Sequence, residues 1–272
     1  MVAYAHGVAG ASTTAVRREG FAELYAAERQ QKDNLCGCFW ASLVLRTAGV
    51  EADQDEVAAA AGAILPGGDP RTHVAPGATP RNDYRVELRV DPTPGVGGTS
   101  ALAVARAIER LSGGVLSAIP VAGPWTAESV TTLLAIAADA TLVANVRTGR
   151  FWGSRPDPAA VLAHLRGAQI EPPPADWDVG HFVNFAALVR GPAADLLVVR
   201  DTYQELGLAG HHLQPPDRVA VSLRRDDGHE GGVLAVVGSA GAGALRERLE
   251  REGFELRHWH NGTPDPEEPS DG

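Results

Sequence analysis

The chain has 272 residues, 44% hydrophobic and 21% charged, with 34 acidic against 24 basic side chains and a formal net charge of −10. That balance belongs to a folded chain long enough to bury a core rather than to a disordered one. Basic residues run no further than pairs such as Arg17-Arg18 and Arg224-Arg225, so nucleic acid is not an expected partner; no window reaches the ~18 consecutive apolar residues of a membrane helix, and none is expected.

The N-terminal stretch 1–12 has no Lys or Arg ahead of its weakly apolar part, so it does not read as a secretory signal, and a cytoplasmic location is expected. Residues 14–29 place Val16, Phe21, Leu24 and Tyr25 at near-helical spacing, weakened at Gly20. After a loop through Gln30 to Asn34, the run CGCFWASLVLRTAG is apolar on nearly all sides and stops at Gly49. It predicts a buried helix with Cys36 at its N-terminus and a glycine just past its end. DQDEVAAAAGA (53–63) predicts a shorter helix opened by acidic residues.

Between 64 and 98 the chain is dense in Gly and Pro and predicts a loop, with one strand at 84–90 and an excursion from Pro66 to Thr99 that is able to cover a cleft. Helices follow at 99–111, capped by Thr99 or Ser100, and from Thr126 through AESVTTLLAIAADA. TLVANVR (141–147) has the β-branched content of a strand, 148–155 reads as a turn, and Asp157 caps a short helix. Beyond Pro172-Pro173-Pro174 four strands are expected, at 181–189, 195–201, 218–223 and 233–238, closely enough spaced for an antiparallel sheet. A last helix, ALRERLEREG, precedes a Pro- and acid-rich tail, 261–272, expected to be disordered. The order gives an α+β fold in one domain over 1–260: a mainly helical part (13–112, with the 64–98 loop) and a helix-plus-sheet part (126–238).

Cys36 and Cys38 are the two cysteines. Their spacing excludes a disulfide framework, and without a second Cys/His cluster they make a poor zinc site, so neither a metal nor a cofactor is expected. A thiol at a helix N-terminus, however, sits where the dipole favours thiolate. A nucleophile also needs a base held by a third group. His181 begins one expected strand and Asp201 ends the next, so a hairpin between them puts the two side chains at one end of the sheet. Gln30, six residues before Cys36 and preferred to Gln31 by that spacing alone, supplies an amide for an oxyanion beside the Cys36 N–H. Asp178 is the rival orienter of His181. Trp177 is the candidate cleft wall, with Gly180 and Trp152 as further substrate-binding candidates. Cys38 reads as a buried thiol, and His211-His212 as a surface loop pair. Gly95 to Ser100 precedes a helix but lacks the lysine of a phosphate-binding loop.

The pattern Gln30, five residues, Cys36-Gly37, an apolar helix, then Gly180-His181-Phe182 and Asp201 resembles the papain-like cysteine peptidase superfamily, nearest to bacteriocin-leader-type peptidases and phytochelatin synthases. The segments CG-x-FWASLVL, WD-x-GHF and DTY also resemble an actinobacterial family of uncharacterised function. The resemblance covers about residues 20–205. It implies a papain-like fold, with the Cys-bearing helix packed on a C-terminal antiparallel sheet. The activity it implies is acyl transfer on a peptide, amide or thioester, as peptidase, amidase or transpeptidase, with Cys36 as nucleophile, His181 as base, Asp201 as orienter and Gln30 in the oxyanion hole. Cys38 departs from the small residue or proline that many relatives carry two positions after the nucleophile. Two alternatives stand beside this reading: a catalytically inactive peptide-binding module of the same fold, and a biosynthetic enzyme that uses Cys36 as a covalent acyl carrier.

Overall fold

A computed structural model describes residues 12–15, 20–69, 73–93 and 95–266. The chain runs β1 (Ser12–Ala15), α1 (Phe21–Ala27), α2 (Cys36–Thr47), α3 (Gln54–Ala61), β2 (Ile64–Pro66), β3 (Arg89–Asp91), α4 (Ala101–Leu111), β4 (Leu116–Val121), α5 (Ala127–Ile136), β5 (Thr141–Arg147), α6 (Pro158–Leu165), β6 (Gly180–Arg190), β7 (Asp195–Arg200), β8 (His211–Gln214), α7 (Pro216–Arg224), β9 (Gly232–Gly238) and α8 (Ser239–Arg251). It is a mixed α+β fold built on a seven-stranded antiparallel sheet of order β4-β9-β5-β6-β7-β8. β1 continues the sheet along the far end of β6, from Ser12 opposite Arg190 to Ala15 opposite Ala187, where β5 has ended opposite Phe185.

Helices cover both faces of this sheet. Successive residues alternate between them: Leu116, Ala118, Val143, Phe182, Leu234 and Val236 pack with α1 to α4, whereas Ile119, Val121, Leu142, Ala144, Val183 and Ala235 pack with α5, α7 and α8. α2 is the centre of the first layer, with Gly37 through Leu45 all buried. At about 1.5–3 kcal/mol for each large apolar side chain removed from water, Phe39, Trp40, Leu43, Val44 and Leu45 make this helix the strongest anchor of the layer. Caps explain several boundaries. Asp53 forms a reciprocal capping box with Glu56, Ser100 accepts from the Ala103 N–H, and Asp157 caps a helix that has Pro158 in its first turn.

Four expectations need correction. Residues 218–223 are helical, inside α7. Pro216 suits the first turn of a helix, and Val219, Ala220 and Leu223 share a buried helical face, so packing overrides their strand propensity. The helix expected over 14–29 spans Phe21–Ala27, while 12–15 is β1 and 16–19 lie outside the described residues. The strand expected at 84–90 reduces to β3, paired in parallel with β2. Residues 261–266, expected as tail, are packed against the body, with Asn261, Thr263 and Asp265 buried; 267–272 lie outside the described residues. No helix among the described residues is long and apolar enough to cross a membrane.

Candidate active site

The chain enters α2 through Asn34, whose φ of 63° is left-handed, and then Leu35, which caps the helix with its backbone alone. No side chain caps this end, so the first N–H groups stay available and the positive end of the dipole faces the half-buried Cys36 thiol. Gly37 lets the helix seat closely: a Cβ there would stand 2.7 Å from Thr99 Oγ1 and 2.9 Å from Val104 Cγ2. The Trp40 indole N–H donates to the Phe182 carbonyl at 2.8 Å, which ties α2 to the start of β6, next to His181.

His181 and Asp201 are both buried, and Nε2 of the ring lies 3.1 Å from Asp201 Oδ1. The same oxygen accepts from the Tyr203 N–H at 3.1 Å. Cys36 and His181 line the same cavity, close enough for the thiol to act on the charge of the ring. Burial by itself opposes charging the imidazole, but the Asp201 carboxylate, together with Cys36, outweighs it and pushes the His181 pKa up to about 10. Asp201 is likewise penalised by burial, yet His181 and then His212 hold it below the usual carboxylate range. The Cys38 thiol differs sharply from its neighbour: it is fully buried, and burial pushes its pKa up, beyond use as a thiolate.

Cys36 opens on a cavity of about 420 Å³ whose walls include Trp177, Gly180, His181, Thr99 and Gly97. Trp177 stands edge-on to His181, with ring centroids 5.3 Å apart. Two of the sequence-derived assignments fall elsewhere. The Gln30 side chain is directed away, to the Thr79 carbonyl, and the cavity is lined by Gln31. Gln31 is buried, and its Oε1 accepts from Thr202 Oγ1 at 2.6 Å, which commits the amide oxygen and leaves the nitrogen as the donor on the cavity that Cys36 also lines. Trp152 packs in a separate cluster with Val161, Leu165 and Ala186 and is not part of the cavity wall. Asp178, the rival orienter, pairs with Arg147 at 2.6 Å and does not reach His181's partner atoms.

The far wall is a charged chain that sequence reasoning missed. Arg225 forks onto Asp227, with Nε to Oδ1 at 2.9 Å and Nη2 to Oδ2 at 2.5 Å, and its Nη1 donates to Asn145 Oδ1 and to the Asn261 carbonyl. Arg147 bridges Asp227 and Asp178. The reading of His211-His212 as a surface loop pair needs correction: both lie on β8, His211 half-buried. His212 is buried, with Nε2 3.8 Å from Asp201 Oδ2. The available signal was the alternation in HHLQ, where His212 and Gln214 share the buried side. Among the described residues no group of three His, Cys, Asp or Glu side chains is placed to hold a metal ion. A comparison with curated proteins gives no match. Residues 18–260 match the family described as Family of unknown function (DUF6885), and the chain belongs to that family.

Proposed function

We propose that the protein is a cysteine-dependent acyl-transfer enzyme acting on an amide, peptide or thioester, of the papain-like kind that the sequence pattern suggests. The observation that carries this reading is the buried His181–Asp201 pair opening on the same cavity as Cys36, whose thiol stands at an uncapped helix N-terminus. His181 is held as imidazolium against the Asp201 carboxylate and so favours the Cys36 thiolate. The thiolate attacks the substrate carbonyl, and the tetrahedral oxyanion meets the Cys36 N–H and the Gln31 amide. His181 then gives its proton to the leaving amine or thiol as the C–N or C–S bond breaks, leaving an acyl thioester on Cys36. In the second half His181 takes a proton from water or an acceptor amine as that nucleophile attacks the thioester, and the thiolate–imidazolium pair is restored. Trp177 shields His181 from solvent on the cavity side, and the polar wall of Arg147, Asp178, Arg225 and Asp227 favours a hydrogen-bonding substrate over a long apolar acyl chain.

The test is intact-mass kinetics of iodoacetamide labelling between about pH 5 and 9, compared with the ~8.5 of a free thiol. The expected result is a single fast label on Cys36 below that value, absent in Cys36→Ala, retained in Cys38→Ala and slowed at least tenfold in His181→Ala. A Cys36 that labels with an ordinary thiol's pH profile irrespective of His181 would remove the enzyme reading and leave a peptide-binding module.

A further inference from the structure

Asp201 has two carboxylate oxygens and, in this fold, two histidines. Oδ1 faces His181 and the Tyr203 N–H; Oδ2 faces Nε2 of His212 at 3.8 Å. Which nitrogen of His212 carries the proton follows from its neighbours. The Trp152 N–H can only donate, and it bonds Gln214 Oε1 at 2.6 Å; the Trp152 carbonyl can only accept, and it takes Gln214 Nε2 at 2.9 Å. One residue's backbone therefore fixes the orientation of the Gln214 amide. The second hydrogen of Nε2 is aimed at His212 Nδ1, 2.9 Å away, so Nδ1 is the acceptor and the ring proton sits on Nε2, toward Asp201. All three side chains are buried, where an unshared polar atom would be costly.

We propose that His212 is a positioning residue of the site: a histidine whose Nε2–H, oriented through Gln214 by the Trp152 backbone, points its positive end at Asp201 Oδ2 across 3.8 Å and draws on the charge that Asp201 directs at His181. The inference rests on the acyl-transfer reading for its consequence, since it sets how strongly His181 is held, but the geometry stands without it. Asp201 Oδ1 is already held by His181 and the Tyr203 N–H, so what His212 adds is a positive dipole end facing the second oxygen. With a donor at Oδ1 and this dipole facing Oδ2, part of the carboxylate's charge is spent on His212.

The experiment uses the full chain labelled with 15N-histidine. Spectra of the wild type at neutral pH are expected to give His212 as the Nε2–H tautomer, with Nδ1 showing the shift of a hydrogen-bond acceptor. In His212→Phe, which keeps an aromatic ring beside Phe151, Asp201 loses a competing positive dipole, so the His181 Nε2–H proton resonance moves further downfield. His212→Gln keeps an N–H and is expected to hold the resonance near its wild-type position. A packing role alone would loosen the His181–Asp201 contact and move the resonance upfield or abolish it. That result, an unchanged resonance, or an Nδ1–H tautomer of His212 would overturn the proposal. If His212→Phe does not fold, the wild-type tautomer decides alone. Loss of the acyl-transfer reading would be seen separately, in iodoacetamide labelling that ignores His181→Ala.

Discussion

Gln30 and Gln31 carry the same amide one position apart, and only their surroundings distinguish them. One is directed at the Thr79 carbonyl; the other is bonded to Thr202 and lines the cavity that Cys36 opens on. A residue count back from the thiol selects Gln30; the backbone of the loop, held by the Gln31 N–H on the Thr202 carbonyl at 3.3 Å, turns the next residue inward. Gln31→Ala is therefore expected to slow acyl transfer about 10²-fold, the usual cost of one oxyanion donor, while Gln30→Ala stays near wild type when both are assayed by single-turnover thioester cleavage. Cys36, His181 and Asp201 were legible because each is announced by a local boundary, a helix start or a strand end. His212 and Thr202 were not, since what brings them to the site is a contact with a residue distant in the chain or on another strand, Gln31 for Thr202 and Asp201 for His212. The same pair of charges makes a pH prediction. His181 has a folded pKa raised above its unfolded value of ~6.5, so its stabilising contribution is complete below that pH and fades as pH climbs toward about 10. Asp201 is held low, so its contribution is present above the ordinary carboxylate range and is lost in acid. The gap in melting temperature between wild type and His181→Gln should be widest near pH 6 and shrink steadily to pH 10; a constant gap would contradict the pairing.

At the level of elements, the close seating of α2 is the most sensitive joint. Gly37→Ala would press a methyl group into Thr99 on one side and Val104 on the other, with the Phe182 ring at 3.3 Å. We expect a loss of ~1–3 kcal/mol in chemical denaturation, typical of overpacking, together with a displaced Cys36 and slower labelling. α2 itself was readable from its unbroken apolar run and terminal Gly49. β4 was harder to read because Pro120 argues against a strand. Its position at the sheet edge, paired on one side with β9 alone, removes that objection, since a proline there forfeits no ladder bond to a second neighbour. β-branched RVAVSL erred in the opposite direction, because the sheet's second face needed a helix there.

For the whole molecule, the site is assembled from distant stretches, and the segment after α8 is what joins them. The Asn261 amide donates to the Thr99 carbonyl at 3.0 Å, Thr263 Oγ1 donates to the Gly97 carbonyl at 2.8 Å, and Arg225 reaches the Asn261 carbonyl from the other side. A chain cut after His260 should lose about 1 kcal/mol for each of these bonds and show faster amide exchange across 95–99, with α2 remaining the slowest-exchanging helix. Equal exchange in α2 and in 66–99 of the intact protein would contradict the ranking. Composition alone marked 261–272 as tail, since nothing in Asn-Gly-Thr-Pro-Asp-Pro announces partners that lie so far upstream.

That late strap also imposes an order in time. Synthesis displays Cys36 early and His181 and Asp201 well afterwards, but one wall of the cavity is made of residues 261–263. An emerging chain can hold the thiol, the imidazole and the carboxylate together and still lack the enclosure around them. The complete cavity wall therefore exists only in chains whose translation has passed Thr263, so a stalled or shortened product would present its thiol in a wider cleft, without the same claim on a substrate.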